Sequence, residues 1–471
     1  MSLWISNDSM MRPETPTWLE EMCDRLSSND PVVTVLELTH YRINDHEACL
    51  LAESLKYNTN VTVMVLSCYT ILDQGAAALS SWFRASTSLR VLQFRDLRKS
   101  REVVSFCKAI ASNSSIEELS FRHCTVDCHG GRYLYDLIEN GDSIQEMRFV
   151  DTDFLGGSLC QVCKGIEMSQ SLKKVYFVNV VNEITVEDDT LTNMLRSNTS
   201  MTELHLSENG LGNKGVAAVV AGLLSNSTLQ VLDLRSNDIG KKGAESLATL
   251  LRSNGTLTTI SLGSNVLGDD LESIRVLAEA LSASRIQRLD LSNNSITVEG
   301  SHILANKLAK NQFLQDLNLS FNNGIGDQGA CAMAEMLTTN SMLQSLSMRR
   351  CNISNEGLTS FSKKLPLMTG LKELSMSRNP IDGKACSSLL QGIRLNVELQ
   401  SLHMDSAIGE TTIQEIKHWL ELNQAGRRVF KQKEIDLSLW PLVLSRSSSN
   451  PEALSFFLRE KPYIVQSTST S

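Results

Sequence analysis

The sequence repeats itself every 28 or 29 residues, with one interval of 27, and this period constrains the fold more than any other feature. The clearest copies follow the pattern LxxLxLxxNxL: residues 229–239 read LQVLDLRSNDI, residues 257–267 read LTTISLGSNVL, and residues 286–296 read IQRLDLSNNSI. Fourteen copies cover about four-fifths of the chain, so one repeated unit must account for most of the structure. The copies start at Val33, Val61, Leu89, Ile116, Ile144, Leu172, Met201, Leu229, Leu257, Ile286, Leu314, Leu343, Leu371 and Leu399.

Each copy combines two hydrophobic periods. Positions 4 and 6 are apolar and position 5 is mostly polar, which is the alternation of a β-strand. The second half changes to helical spacing, as in Val216, Val219, Val220, Leu223 and Leu224. Neither unit can bury its apolar face alone, so successive copies must stack strand beside strand and helix beside helix. The sequence therefore predicts an α/β solenoid, a horseshoe with a parallel β-sheet on its concave face and α-helices on its convex face.

Asparagine recurs at position 9, directly after the predicted strand. Its amide, directed inward, can satisfy backbone groups where the chain turns, and such groups are costly to bury without a partner. Cys124, Thr152 and Cys351 occupy the same position in other copies. The asparagines at this position are Asn209, Asn237, Asn265, Asn294, Asn322 and Asn379.

A second asparagine recurs three residues before a repeat start. Because asparagine tolerates the left-handed conformation that ends many helices, we interpret these residues as helix stops. Several also form N-x-S/T sequons, but glycosylation requires a secretory route that the N-terminus does not indicate. The second set comprises Asn58, Asn113, Asn198, Asn226, Asn254, Asn311, Asn340 and Asn396.

The LxxLxLxxNxL pattern is the signature of leucine-rich repeats. The long copies, with a second half such as GLGNKGVAAVVAGLLSNS, resemble the ribonuclease-inhibitor class, since shorter classes have no room for a full helix. Ran GTPase-activating proteins and the repeat domains of nucleotide-binding immune receptors share this class. The sequence contains no GxxxxGK[ST], which excludes a P-loop NTPase module and with it a complete receptor of that kind.

Four segments are expected along the chain: an N-terminal cap (residues 1–30), the solenoid (31–425), a C-terminal capping segment (426–465) and a disordered tail (466–471). The caps are expected because a solenoid exposes its core at both ends. Residues 16–26 are predicted to form an amphipathic helix in the first cap. Its apolar face carries Trp18, Leu19, Met22 and Leu26.

A helix is also predicted in the C-terminal capping segment. Asn450, Pro451 and Glu452 are a typical helix start, with a capping residue, a proline at the first position and an acidic residue next to it. Pro462 ends this helix, and Trp440 is expected to cover the last repeat.

Composition narrows the function classes and the compartment. The net charge is −9, from 53 acidic and 44 basic residues, whereas non-specific nucleic-acid binding needs a basic surface. No segment reaches the roughly 18 apolar residues of a membrane helix, and the N-terminus does not resemble a secretory signal. Eleven cysteines at irregular intervals argue against a disulfide framework. We therefore expect a soluble, cytoplasmic monomer that binds neither nucleic acid nor membranes.

Two glycine motifs, GLGNKG at residues 210–215 and GIGDQG at residues 324–329, match the dinucleotide-binding pattern GxGxxG. Glycine recurs at the same register in other copies, including Gly240 and Gly243, so we interpret these glycines as turns that lead into the outer helices. No nucleotide or other cofactor is therefore predicted.

A cluster of histidine and cysteine residues raises the possibility of a zinc site. Cys124, however, occupies the inward position 9, and Cys160 and Cys163 have the spacing of a buried helix face, where cysteine behaves as a small hydrophobe. We favour the buried interpretation and predict no metal site. The other members of the cluster are His123, Cys128 and His129.

The remaining polar residues form no recognisable active site. His205 and His403 are interpreted as isolated strand positions, and no Ser-His-Asp or paired-carboxylate arrangement converges on a pocket. We predict that the protein is not an enzyme.

Positions 3, 5 and 7 of each copy are expected to cover the concave surface. A candidate partner-binding zone lies on four successive strands in the less regular copies between residues 89 and 200. Glu118 and Glu146 lie beside it, so a solvated face with internally paired charges is the alternative interpretation. The candidate residues are Arg95, Arg122, Arg148, Lys174 and Tyr176.

The preferred function is a non-enzymatic scaffold or regulator that binds another protein, one that presents an acidic patch, through this concave face. The alternative is a GTPase-activating protein of the Ran type. In those proteins an acidic tail follows the repeats, whereas here the repeats are followed by Arg427, Arg428, Lys431 and Lys433. This difference favours the scaffold, because a fold alone does not determine a function.

Overall fold

The structure is a computed structural model that describes residues 17–39, 41, 43–180, 189–405, 409–430, 455–457 and 459. The chain divides into two compact units. Unit 1 comprises Met1–Asp238 with Ser253–Leu257, and unit 2 comprises Ile239–Arg252 with Thr258–Ser471.

Unit 1 contains a parallel sheet in the order β1-β2-β3-β4-β6-β8-β9-β10, and β5 and β7 form a separate parallel pair. Its strands are β1 (Val35–Leu38), β2 (Val63–Ser67), β3 (Val91–Arg95), β4 (Glu118–Arg122), β5 (Thr125–Val126), β6 (Glu146–Val150), β7 (Asp153–Phe154), β8 (Lys174–Val178), β9 (Glu203–His205) and β10 (Val231–Asp233). Its helices are α1 (Thr17–Ser27), α2 (Asp45–Ser54), α3 (Asp73–Ala85), α4 (Ser100–Ile110), α5 (Cys128–Asn140), α6 (Ser158–Met168), α7 (Thr190–Ser197) and α8 (Gly212–Leu223).

Unit 2 continues the same alternation, with strands in the order β11-β12-β13-β14-β15-β16. Its strands are β11 (Thr259–Ser261), β12 (Arg288–Asp290), β13 (Asp316–Asn318), β14 (Ser345–Ser347), β15 (Glu373–Ser375) and β16 (Ser401–His403). Its helices are α9 (Lys241–Ser253), α10 (Leu271–Ala283), α11 (Val298–Leu308), α12 (Gly326–Thr339), α13 (Asn355–Lys364), α14 (Cys386–Leu395), α15 (Glu410–Gln424) and α16 (Arg427–Phe430). Short 3₁₀ turns lie at Leu267–Asp269, Leu365–Leu367 and Gly383–Ala385.

The fourteen repeat strands and the α/β leucine-rich-repeat architecture are confirmed. The eight repeat strands of unit 1 and the six of unit 2 fall at the predicted positions, from β1, two residues after Val33, to β16, two residues after Leu399. Positions 4 and 6 are buried, as Leu232 and Leu234 show with 0% exposure. Val219, Leu247 and Met333 lie within α8, α9 and α12, so these copies also have the helical second half that the spacing predicts.

The asparagine at position 9 satisfies backbone groups in two neighbouring copies. The Asn237 amide nitrogen donates to the carbonyl oxygens of Leu206 (2.8 Å) and Arg235 (3.0 Å). Its oxygen accepts from the backbone N–H groups of Asn209 and Leu211, both at 3.2 Å. The side chain is fully buried, so this prediction is confirmed.

The residues that replace asparagine at position 9 make part of the same connection. The Thr152 hydroxyl donates to the Phe121 carbonyl at 3.1 Å, and the Cys351 thiol to the Leu319 carbonyl at 3.2 Å. Each spans 31 or 32 residues along the chain, which is the distance back to the preceding copy. A hydroxyl or a thiol can therefore serve there, as the sequence indicated.

The interpretation of the second asparagine set as left-handed helix stops is wrong. None of the eight residues has a positive φ; at Asn198, for example, φ is −67° and ψ is 130°. Left-handed residues instead occur at position 8, directly after the strand, as at Asp96 (φ 55°) and Asp151 (φ 49°). In these copies the tight turn therefore lies at the end of the strand, not at the end of the helix.

The second asparagines act through their side chains. The Asn226 amide nitrogen donates to the carbonyls of Leu195 (2.7 Å) and Asn198 (3.1 Å), and its oxygen accepts from the N–H groups of Thr228 (3.0 Å) and Leu229 (2.9 Å). The donor reaches back 31 residues, so it joins consecutive copies. The other seven positions repeat this pattern.

This structural role accounts for the N-x-S/T sequons. In Asn198, Asn226 and Asn254 the amide nitrogen, which is the atom that glycosylation modifies, already donates to backbone carbonyls. Asn198 and Asn226 are only 2% and 6% exposed. In the folded chain these sequons therefore follow from the repeat itself.

The less regular copies have an aromatic core. Position 6 of four consecutive copies is occupied by Phe94, Phe121, Phe149 and Phe177. The centroids of successive rings in this row are 5.6, 5.5 and 5.5 Å apart. The last two pairs are stacked, with interplanar angles of 7° and 12°. All four rings are at most 1% exposed. The departure from the leucine pattern thus reflects specialised packing and not a loosened core.

Helix α1 confirms the N-terminal amphipathic helix from Thr17 onward. Leu19 and Leu26 are fully buried, and Trp18 stacks on Tyr41 with 3.9 Å between ring centroids. Residues 1–16, Trp440 and the tail 466–471 lie outside the described residues. Of the predicted helix from Asn450 to Pro462, the structure describes residues 455–457 and 459, and these are helical. The segment boundaries of both caps stay predictions.

The first residues of the basic segment after the repeats are engaged with the protein itself. Arg427 is 7% exposed, its guanidinium lies 4.4 Å from the Trp419 ring centroid, and it donates to the Arg394 carbonyl. Arg428 forms an ion pair with Glu398 at 3.1 Å. Lys431 and Lys433 lie outside the described residues.

Replacing Asn226 by glycine should lower the free energy of unfolding by about 1–3 kcal/mol, because it leaves backbone donors and acceptors between two copies without partners. Asn237→Ala should cost a similar amount for the same reason. Chemical denaturation followed by circular dichroism measures both. Asn306→Ala, on the exposed side of α11, is the matched control and should change stability by less than about 0.5 kcal/mol. A neutral Asn226→Gly variant would mean that the hydrogen bonds of Asn226 between the two copies contribute little to stability.

Candidate functional site

Residues at positions 3, 5 and 7 of each copy share one face of the sheet, which we call the open face. The parallel register aligns equal positions of neighbouring copies in rows across this face, on β3, β4, β6, β8 and β9. Arg95 lies opposite Arg122 in the position 7 row. Arg148 lies opposite Tyr176 in the position 5 row, and Lys174 belongs to the position 3 row. The five candidate residues therefore lie on the predicted strands but in three separate rows.

Arg148 is held by two carboxylates. Its Nε is 3.2 Å from Glu118 Oε1, and its Nη2 pairs with Glu146. Burial raises the pKa of Glu118, and the nearby Glu146 carboxylate raises it further. The Arg148 guanidinium lies 4.1 Å from the centroid of the Tyr176 ring, within cation–π distance. Arg148 therefore supports Tyr176 and carries no unpaired charge.

Tyr176 is stacked on both sides. Arg148 lies on one side of the Tyr176 ring and the His205 ring on the other. The centroids of the Tyr176 and His205 rings are 4.1 Å apart, and the rings are nearly parallel, at 8°. His205 Nδ1 is 3.3 Å from Asp233 Oδ2, and the two side chains are 19% and 3% exposed. The interpretation of His205 as an isolated strand position is wrong, because the neighbouring strands supply a ring and a carboxylate.

Asp233 is buried at the end of this row and holds His205 and Arg235 by hydrogen bonds. It accepts hydrogen bonds from the Arg235 backbone N–H at 3.0 Å and from Arg235 Nε at 2.9 Å. Burial raises the pKa of Asp233, but the hydrogen bonds from His205 and Arg235 outweigh burial and lower it to about 2. Asp233 is therefore ionised at neutral pH and holds both neighbours in place.

Lys174 is also paired. Its Nζ is 3.5 Å from Glu203 Oε1, and this carboxylate raises the pKa of Lys174. Glu203 Oε2 lies 3.9 Å from His205 Nε2. The prediction did not include Glu203, His205 and Asp233. The available signal was the run Tyr, His, Asp at position 5 of three consecutive copies.

Arg95 and Arg122 differ from these cations. Both side chains are half-buried, and neither forms an ion pair with any residue in the described part of the chain. The Nε atom of each is shielded from solvent and lacks a hydrogen-bond acceptor there, as does that of Arg148, so the missing ion pair is what sets Arg95 and Arg122 apart. In their row they lie between Ser67 and Val150, neither of which is charged. The open face of unit 1 thus carries two arginines on neighbouring strands without a counter-charge.

Family profiles match several of the repeats. One, described as Leucine Rich repeat, matches residues 197–220, 225–248, 310–334 and 339–362, and another, described as Leucine Rich Repeat, matches residues 285–307. Ribonuclease inhibitor of Mus musculus is 25% identical over 422 residues, which are 87% of this chain and 92% of that protein. Ribonuclease inhibitor of Sus scrofa is 24% identical over 421 residues, with the same two shares. The chain is a leucine-rich-repeat protein of the ribonuclease-inhibitor-like class.

A partial similarity concerns a much larger protein. NACHT, LRR and PYD domains-containing protein 5 of Mus musculus is 32% identical over 127 residues, which are 26% of this leucine-rich-repeat protein and 11% of that relative.

The cysteine and glycine motifs of this leucine-rich-repeat protein have structural roles. Cys124 is buried, its Sγ lies 3.3 Å from the Arg122 carbonyl oxygen, and burial raises the pKa of the thiol to about 12. In the described ranges no three His, Cys, Asp or Glu side chains converge to hold a metal ion. Gly212 (φ 56°) and Gly326 (φ 55°) begin α8 and α12, which confirms that they are turn residues.

None of the helices that the structure describes is both long and apolar enough to cross a membrane.

Asp233→Asn should destabilise this leucine-rich-repeat protein in a pH-dependent way. The pKa falls from its ordinary value of 3.8 to about 2 on folding, so the ionised carboxylate contributes about 2 kcal/mol of stability. This contribution is complete above about pH 5 and is lost as the pH falls towards 2. Urea denaturation at pH 7 and pH 3 should show a difference from the parent protein that shrinks at the lower pH.

Asp238→Asn is the matched control for this experiment. Asp238 is exposed and has a φ of 55°, which asparagine also tolerates, so stability should change little at either pH. A pH-independent loss in Asp233→Asn would mean that the carboxylate contributes by packing and not by its charge.

Proposed function

We propose that the protein is a non-enzymatic regulator or scaffold, a cytoplasmic monomer that binds another protein through the open face of unit 1. Its class supports a binding role, and the two ribonuclease inhibitors to which it is similar are named for an effect on another protein. The observation that carries the proposal is the Tyr176 ring, stacked between Arg148 and His205 on a face that also presents Arg95 and Arg122.

Tyr176 has the properties of a binding anchor. Tyrosine and arginine are enriched among the residues that dominate binding energies in protein interfaces. Because Arg148 and His205 already restrict the ring, a partner would lose little additional side-chain entropy when it orders Tyr176. The ring remains half-exposed, so part of its surface is available for contact.

Arg95 and Arg122 would select the partner by charge. The protein as a whole has a net charge of −9, so two uncompensated cations form a local exception on its surface. An acidic patch on the partner would neutralise them, and charged groups at the edge of an interface mainly increase the association rate. We therefore expect salt to weaken association through these residues.

Arg122→Ala should reduce the association rate and the salt dependence of binding, whereas Tyr176→Ala should shorten the lifetime of the complex. Removing a true anchor costs about 2 kcal/mol or more in affinity, which corresponds to a loss of about thirtyfold or more. Surface-immobilised binding kinetics with the partner, first identified by pull-down and mass spectrometry, measure both effects.

Ser347→Ala in β14 of unit 2 is the control and should bind like the parent protein. If Arg122→Ala and Tyr176→Ala also bind like the parent, the open face of unit 1 is not the binding surface. A hydrolysis assay with a Ran-type GTPase provides a separate test, since clear stimulation of GTP hydrolysis would contradict a purely non-enzymatic role.

A further inference from the structure

The cations on the open face of unit 1 fall into two groups. Arg148, Lys174 and Arg235 each have a carboxylate within ion-pair distance, at 3.2, 3.5 and 2.6 Å. Arg95 and Arg122 have none in the part of the chain that the structure describes. Since the neighbouring cations are compensated individually, the absence of a counter-charge at this pair is a local property and not a general feature of the face.

The carboxylates at position 8 of nearby copies, one residue beyond the row of the pair, are engaged elsewhere. Asp96 follows Arg95 directly, and its Oδ2 accepts a hydrogen bond from the Ser67 hydroxyl at 3.4 Å. Asp151 lies 3.7 Å from His123 Nδ1. Neither is within ion-pair distance of the two guanidinium groups.

The sheet places the two arginines side by side on neighbouring strands. Arg95 and Arg122 are register partners on β3 and β4, so their backbones are about 4.8 Å apart. Like charges on opposed residues repel, and a shielded N–H group without an acceptor costs free energy. Both costs disappear if an anion with several acceptor oxygens lies between the two side chains.

We infer that Arg95 and Arg122 together form a binding site for a phosphate monoester, carried by a phosphorylated side chain of the partner protein. A phosphate monoester carries about two negative charges at neutral pH and has three acceptor oxygens, which match two guanidinium groups. A single carboxylate would leave one of the two positive charges uncompensated. The inference rests on the proposed function only in the identity of the molecule that carries the phosphate.

The position of Tyr176 relative to the pair constrains the bound segment. Strand β8 lies two strands from β4, or about 10 Å across the sheet. An extended chain covers this distance in about three residues. A segment that crosses the strands with its phosphorylated residue on Arg122 would therefore place a residue about three positions away on the Tyr176 ring, where an apolar or aromatic side chain would fit best.

Binding of phenyl phosphate to the full chain tests the site without the partner. Isothermal titration calorimetry should show that Arg95→Gln and Arg122→Gln each weaken binding by about tenfold or more. Phenyl sulfate, a monoanion of similar shape, should bind the parent protein about tenfold more weakly. Affinity for phenyl phosphate should fall as the pH drops below about 6, where the ester takes up its second proton.

Arg349→Gln is the matched control. Like Arg95 and Arg122, Arg349 occupies position 7 of its copy, is half-buried, and has a shielded Nε without an acceptor in the described residues. Unlike them, it has no arginine neighbour in its row, because position 7 of the adjacent copies is Ser320 and Ser377. It should leave phenyl phosphate binding unchanged. If Arg122→Gln does not fold, Arg122→Lys replaces it in the experiment. Lysine keeps the positive charge but lacks the forked donors of arginine, so this variant should bind phenyl phosphate with intermediate affinity.

Three outcomes would overturn the inference: equal binding of phenyl sulfate, equal loss in Arg349→Gln, or binding that ignores both Arg95 and Arg122. Phosphatase treatment of the identified partner separates the two proposals. If the partner still binds through Tyr176 after treatment, the phosphate site is wrong and the proposed function stands. If neither phosphatase treatment nor the Tyr176 and Arg122 substitutions affect the complex, both are wrong.

Discussion

The structure depends on buried backbone groups that receive hydrogen bonds from asparagine side chains of a neighbouring copy. Asn237 does this after the strand and Asn226 before it, and each donates to a carbonyl 31 residues earlier. An unsatisfied carbonyl or N–H at these places would cost more than most surface contacts contribute. Because both ends of the strand are connected in this way, a copy has little freedom to slide along its neighbour.

This fixed register aligns the side chains of successive copies in rows across the sheet. Residues at equal positions of consecutive copies become direct neighbours, about 4.8 Å apart, although 27 to 29 residues separate them along the chain. Arg148, Tyr176, His205 and Asp233 form such a row in unit 1. Guanidinium, phenol, imidazole and carboxylate then meet as a stack that no single copy contains. The geometry of the candidate site is therefore a property of the repeat register as much as of its residues.

The sequence allowed the fold to be predicted well because strand and helix leave separate periodicities within each copy. It predicted the role of Asn237 correctly, since an inward residue next to a turn needs a polar function. The role of Asn226 was misread, because a left-handed helix stop is a local explanation, and the true acceptors lie in the preceding copy. His205 was missed for the same reason: its partners, Tyr176 and Asp233, lie 29 and 28 residues away and meet it only in the stacked sheet.

The arginines of this protein have two different roles: some stabilise the fold through ion pairs and hydrogen bonds, and others lie on the surface without a counter-charge among the described residues. Arg148 is matched by two carboxylates, and Arg427 is buried against Trp419 and donates to a carbonyl. Exposure does not separate Arg148 from Arg122, because both are half-buried. The difference is charge compensation: Arg148 has two carboxylates within ion-pair distance, whereas the sheet places Arg122 beside another arginine. In a repeat protein, where most polar groups are satisfied by the neighbouring copy, an uncompensated pair points to a ligand more directly than exposure does.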